Sequence, residues 1–340
     1  MKTMRHLTYV AAAAFAAVGL AASAEAEDKP AEVRIGYLNL VNAQLVTKHL
    51  GLHEKELGVP IKWLKFGSGG DVNKAIAGEQ IDFGGVGNPP ATIGVTRGLP
   101  YEGILALNIL GDVEALSVRT SKNITSVKDL AGKTVAAPFG STTHYLLLTT
   151  LKQNGVKPGD VKLLDLNPSD AAAAWIRGDI DAAWIWEPNL GKTVQNGGKI
   201  LLGSGTLAKN GYPTWDISVV VNAFAKKHPD LVAKFVKSEC ASIDYWLKNP
   251  EETAKIIAEE LSLPLEDAKR MIAGTAVVPC SEQITAEYLG TSKAKGKFVD
   301  TLVSTAKFLV EEKRLPEEKP RAAFEAFISP SYLEAATALR

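Results

Sequence analysis

The residues best suited to chemistry lie at the ends of apolar segments. Gly140-Ser141-Thr142-Thr143-His144 places three hydroxyls and an imidazole where a helical pattern begins, directly after the strand-like Lys133–Pro138. Free backbone N–H groups and the positive end of a helix dipole make such a start an anion site, and the hydroxyls add neutral donors. The same residues equally serve as an ordinary N-cap. Gly87-Asn88-Pro89-Pro90 is a second strand-to-helix corner. Its prolines lack N–H groups, which leaves the Asn88 amide or the Gly87 N–H as donor. Trp184, Trp186 and Glu187 follow one strand-like segment, and Trp215-Asp216 precede another. An indole beside a carboxylate suits a cationic amine, through cation–π attraction and a charge-assisted hydrogen bond. The alternative is that the indoles are core and the carboxylates face solvent. Tyr37, near the end of the first apolar segment, completes the candidate set. An anion end and an amine end together suit a zwitterion.

Other motifs carry less. Gly191-Lys192-Thr193 has Trp186 where a P-loop requires glycine, and Gly85-Val86-Gly87 lacks the third glycine of a dinucleotide fingerprint. Ser141 and His144 have no acidic orienter in the pattern and no Gly-x-Ser-x-Gly elbow. The histidines show one i,i+4 pair, His49 and His53, beside Lys48 and Glu54, which predicts a solvated face. No metal site and no cofactor are expected.

These residues are positioned by alternating strand and helix. Strands are expected at 33–38, 61–66, 81–86, 101–108, 114–119, 133–138, 161–165, 180–185 and 217–221, with 191–211 as loop. Helices are expected at 44–57, 72–77, 126–130, 144–153 and 170–177, with one from Pro89-Pro90 to Arg97. From Ala223 the pattern is helical, over 229–248, 251–260, 264–273, 284–312 and 317–337. The β-α-β-α order predicts an α/β fold of mostly parallel sheets covered by helices, in two lobes with a helical C-terminal region. Lobe 1 is expected at 31–120 plus 218–340 and lobe 2 at 121–217, with ligand between them where the strands end.

The chain has 340 residues, with 38 Lys+Arg against 38 Asp+Glu. That length suits about two domains, and the even charge excludes a binder driven by a global basic field, so no nucleic-acid partner is expected. Residues 1–26 combine Lys2 and Arg5 with an uncharged Ala-rich run and two small-x-small sites, the pattern of a cleaved secretory signal peptide. Cleavage after Ala26 would leave 36 basic against 37 acidic side chains, a balance of −1. An exported protein permits a Cys240–Cys280 bridge; two buried thiols are the alternative.

Ala136–Tyr145, Gly155–Asp160, Ala173–Ala183 and Pro213–Asp216 together resemble the periplasmic substrate-binding family of taurine and aliphatic-sulfonate ABC importers, over about residues 33–312. The resemblance implies a type II periplasmic binding protein that closes by hinge motion on a small sulfonate and docks on a membrane permease. It implies a receptor, not an enzyme, working as a monomer, with Ser141, Thr142 and nearby amides on the sulfonate and Asp216 near the amine. Two positions depart from the family pattern: Asn88-Pro89 stands where Ser-Ser-Pro is usual, and Glu187 replaces a small apolar residue. Another small solute therefore remains an alternative: a sulfate ester, hypotaurine, a guanidino- or betaine-like compound, or a pyrimidine. A thiamine-precursor-type enzyme is a further one.

Overall fold

The computed structural model describes residues 29–338; the expected signal peptide lies outside them. In chain order the strands are β1 (Val33–Leu38), β2 (Ile61–Phe66), β3 (Phe83–Gly87), β4 (Tyr101–Leu110), β5 (Glu114–Arg119), β6 (Thr134–Ala137), β7 (Lys162–Asp165), β8 (Ala182–Trp186), β9 (Gly198–Gly203) and β10 (Thr214–Val221). They form two five-stranded sheets, ordered β2-β1-β3-β10-β4 and β7-β6-β8-β5-β9. β1 pairs in parallel with β2 and β3, and β6 with β7 and β8. β10 runs antiparallel to β3 and β4, and β5 antiparallel to β8 and β9.

Four strands of each sheet thus share a direction and one is reversed. The reversal follows from the path of the chain, since β5 and β10 are the strands that arrive from the other sheet. The chain changes sheet between Leu110 and Glu114 and again between Gly203 and Thr214. In both sheets the C-terminal ends of the parallel strands and the N-terminal end of the reversed strand therefore meet one cleft, where open α/β sheets place ligands.

Two glycines show how closely these elements approach. The helix Gly69–Ala77 packs tightly on β3, because a Cβ on Gly84 would lie 2.7 Å from Val72 Cγ1. At the cleft itself, a Cβ on Gly87 would come within 2.6 Å of Thr142 Cγ2 and 3.2 Å of Asp216 Oδ1. Thr142 belongs to the half built on the second sheet, so glycine at 87 is what lets the two halves meet. One core lies in the first half and includes the C-terminal helices; two smaller cores cover the faces of the second sheet.

Several expected elements are redrawn. Gly51 sits at φ +60° and splits 44–57 into helices Ala43–Leu50 and Leu52–Leu57. The expected loop 191–211 contains helix Asn189–Gln195, β9 and helix Ser204–Lys209. β9 is an edge strand bracketed by glycines and paired with β5 alone, so tertiary pairing specifies it where local pattern does not. The long helix 284–312 shrinks to Lys297–Glu311. Before it, Gly290 at φ +76° and the Gly290–Lys295 bridge close a tight loop. Similarly, 317–337 divides into Arg321–Phe327 and Ser331–Ala338, because Ser329 N–H donates to the Gly103 carbonyl at 2.8 Å and Pro330 follows. The disulfide forms between Cys240 and Cys280, with Cα atoms 5.8 Å apart, inside the first core.

Candidate functional site

A small cavity lies where the strand ends converge. The first half contributes Leu38, Leu40 and Val41 after β1, Gly69, Gly87, Pro90, Asn108 and Leu110, and Asp216 of β10. The second contributes Val113, Glu114, Ser141, Thr142, Trp186 and Glu187. The space open to the centre of a water-sized sphere is about 30 Å³, where one water needs about 10–15 Å³. In this conformation the space suits only a small solute.

One wall is built from helix N-termini. Val41 and Gly69 belong to the starts of helices Ala43–Leu50 and Gly69–Ala77, and Gly87 caps Asn88–Thr96. Thr142 opens the helix Thr142–Gln153, for which Ser141 is the N-cap. Unpaired first-turn N–H groups and aligned dipoles favour an anion at such a convergence.

The hydroxyls expected to help are already committed. Ser141 Oγ donates to the Pro138 carbonyl at 2.6 Å and accepts from His144 N–H at 3.2 Å. Thr143 Oγ1 exchanges a hydrogen bond with Ser141 Oγ at 2.8 Å, and Thr142 Oγ1 donates to Glu114. Local side-chain-to-backbone bonding takes such hydroxyls readily.

The other chemistry of the cavity is acidic. Asp216 and Glu114 sit at or near the starts of the two reversed strands and are both buried. Burial pushes the Asp216 carboxyl up to about 7, with its neighbour Asn108 on β4 pulling the other way. Asp216 Oδ2 is buried without a hydrogen-bond partner. Burial also pushes Glu114 up to about 8 against hydroxyl donors, and the charge of Asp216 raises it further. Ser204 Oγ donates to Glu114 Oε2 at 3.1 Å, as does Thr214 Oγ1 at 3.5 Å. Burial therefore keeps both carboxyls partly protonated near neutral pH, and a neighbouring cation would favour their ionised forms.

Glu187 lines the cavity too, but its oxygens are engaged. Arg270 Nη1 donates to Oε1 at 2.9 Å and Gly191 N–H to Oε2 at 2.8 Å. Trp186 forms the adjoining wall and packs against the first core. Both Trp184 and Trp186 lie within β8, and Trp215 and Asp216 within β10, because sheet pairing carries those strands further than their apolar pattern does.

The cavity thus gathers Ser141, Thr142, Trp186, Glu187 and Asp216 of the expected residues. Asn88 is turned away from it: its amide donates to Thr305 Oγ1 at 3.3 Å, and its Oδ1 accepts from Trp215 N–H at 3.2 Å. Trp215 itself stacks on Phe298. Tyr37 packs edge-on against Trp63, and Thr143 lies buried in its helix. His144 faces a wider groove and stacks on Phe139, accepting from Gly140 N–H at 3.2 Å. Burial, reinforced by Arg314, pushes its imidazole down to about 3. His49 keeps contact with solvent beside Glu260, but His53 is buried against Glu239 and Ser238. Glu114 was not among the expected site residues; its signal is a charged residue opening the strand Glu-Ala-Leu-Ser-Val-Arg, whose interior carries no charge.

Residues 43–253 match the protein family described as NMT1/THI5 like. The chain belongs to this family. Among relatives, it is 35% identical over 291 residues to the taurine-binding periplasmic protein of Escherichia coli K12, a match covering 84% of this chain and 88% of the relative. The family relation that the Ser141–His144 and Trp175–Asp181 segments suggested therefore spans most of the chain. Among solved structures, this NMT1/THI5-like protein superimposes on the alkanesulfonate-binding protein SsuA of Xanthomonas axonopodis pv. citri bound to MOPS. The TM-score is 0.75 at 23% identity, over 87% of this chain and 98% of that one. The periplasmic aliphatic sulphonate binding protein SsuA of E. coli gives 0.68 at 22%, over 88% and 98%. These likenesses place the fold among periplasmic binding proteins.

Proposed function

We propose that this protein is the periplasmic substrate-binding component of an ABC importer, and that it captures taurine or a closely related small amino-sulfonate between its two lobes. The observation that carries the reading is that one small cavity gathers both helix N-termini, at Gly69, Gly87 and Thr142, and the buried Asp216–Glu114 pair. A singly charged sulfonate suits the first, and a primary ammonium suits the second. Ser141 acts as the cap that holds its helix start in place, and backbone amides at Gly69, Gly87 and Thr142 face the sulfonate. Trp186 packs against the aliphatic carbons.

The lobes correspond to the two sheets with their helices, and opening and closing about the two crossings admits and encloses the ligand. The protein works as an exported receptor that hands ligand to a membrane permease rather than as an enzyme, with residues 1–26 as its export signal. The E. coli taurine-binding relative supports this reading. Isothermal titration with taurine, hypotaurine, homotaurine and an amine-free ethanesulfonate tests it. Saturable binding of the amino-sulfonates, with the amine-free compound weaker, is expected; no heat with any of them would overturn it.

A further inference from the structure

The ion pair between Glu187 and Arg270 joins the two halves of the molecule. Glu187 follows the last residue of β8 in the second sheet, and its carboxylate is fixed there by the Gly191 N–H. Arg270 comes from the helix Leu265–Ala273, whose Ala268 and Met271 are buried in the first core. The chain just beyond that helix is tied to β4, where Ile109 N–H donates to the Ala276 carbonyl at 2.9 Å. Asp267 steadies the guanidinium from its own helix at 3.5 Å. Each partner is thus anchored in a different half, and the 2.9 Å contact between them spans the two.

We infer that Arg270 is a positioning residue of the ligand cavity: it reaches across the cleft to hold Glu187 in the cavity wall, and so couples ligand capture to a charge pair made on closure. The physical need is local. Closure buries three carboxylates around one small cavity, Glu114, Glu187 and Asp216. Arg270 pairs with Glu187, whose oxygens it and the Gly191 N–H already occupy, and without it that buried carboxylate would lose its counter-charge. The guanidinium stays half-exposed, so water can take the place of Glu187 on it. This rests on the amino-sulfonate reading of the cavity.

The test is a double-mutant cycle of Glu187→Gln and Arg270→Gln, read by taurine titration at low and high salt. Each single variant should weaken taurine about tenfold, and the double variant no more than the worse single. Arg270→Lys should recover part of the loss, since one donor meets Glu187, and the salt dependence of affinity should shrink in Arg270→Gln. Small-angle scattering of the ligand-free protein should show Arg270→Gln more open than the wild type. Unchanged taurine affinity in Arg270→Gln, or two single losses that simply add, would overturn the inference. A wild type that does not bind taurine would instead defeat the ligand reading; the scattering comparison then decides the role of the pair, and equal profiles refute it.

Discussion

Asp216→Asn should strengthen the empty protein and cripple it as a receptor. The carboxyl is raised by burial from its ordinary 3.8 to about 7. The folded state therefore binds more protons than the unfolded chain between those values, and wild-type stability falls as pH rises through that window. At about 1.36 kcal/mol per pH unit, keeping Asp216 ionised at pH 8.5 costs the empty protein about 4 kcal/mol, and the same cost at pH 5 is only about 1–2 kcal/mol. Asparagine carries none of it, so its stability advantage should grow by about 2–3 kcal/mol between pH 5 and pH 8.5. Removing the charge also relieves Glu114, which Asp216 pushes upward. Binding should move the other way, since a desolvated ammonium losing its counter-charge costs about 2–4 kcal/mol, or roughly 30- to 1000-fold in taurine affinity. Urea denaturation at the two pH values, with and without taurine, reads both effects. A variant no more stable than wild type at pH 8.5, or one that binds taurine as tightly, would refute the assignment.

Gly87→Ala should fold but close poorly, because its methyl group would meet Thr142 Cγ2 at 2.6 Å across the cleft; overpacking of about 1–3 kcal/mol predicts taurine affinity lower by roughly 5- to 150-fold. Titration measures it, and wild-type affinity would contradict the tight approach. For the wild type, the carboxyls at about 7 and about 8 must give up a proton to accept an ammonium, so taurine affinity should fall toward tenfold per pH unit below about pH 6.5. An amine-free sulfonate should not show that loss, and a flat taurine profile from pH 5.5 to 7.5 would count against the pair. Replacing Cys240 and Cys280 with serine opens a loop with a sequence separation of 40, which should cost about 4 kcal/mol in denaturant unfolding; an unchanged midpoint would mean the bridge does not constrain the unfolded chain.

Much of this site was legible from the sequence because its parts sit where strands end. The Ser141-Thr142-Thr143 run does mark a helix start in the cavity wall, and Asp216 and Trp186 do lie there. What the pattern could not carry was direction. Whether the Asn88 amide faces ligand or Thr305 depends on a helix more than 200 residues away in sequence, and hydroxyls that look free are satisfied by neighbours brought in by folding. Glu114 was hidden for the same reason, as the first residue of an apolar strand that becomes a cavity wall only once β5 crosses to the second sheet. The missed β9 and the overdrawn helix 284–312 share a cause: glycines read as loop or were passed over, while long-range pairing decided each case.

The two acids of the cavity stand on the two strands that carry the chain from one sheet to the other. Glu114 opens β5 just after the Gly111–Val113 crossing, and Asp216 lies near the start of β10, just after the return. One charge thus stands in each half, and each lies beside a crossing. Under the proposed hinge closure, bending the crossings would reset the electrostatic trap, and an ammonium held by both carboxylates would pull on the joint itself. Substitutions at Gly111 or Asp112, or in Gly203–Pro213, would then alter charge selectivity from outside the cavity lining.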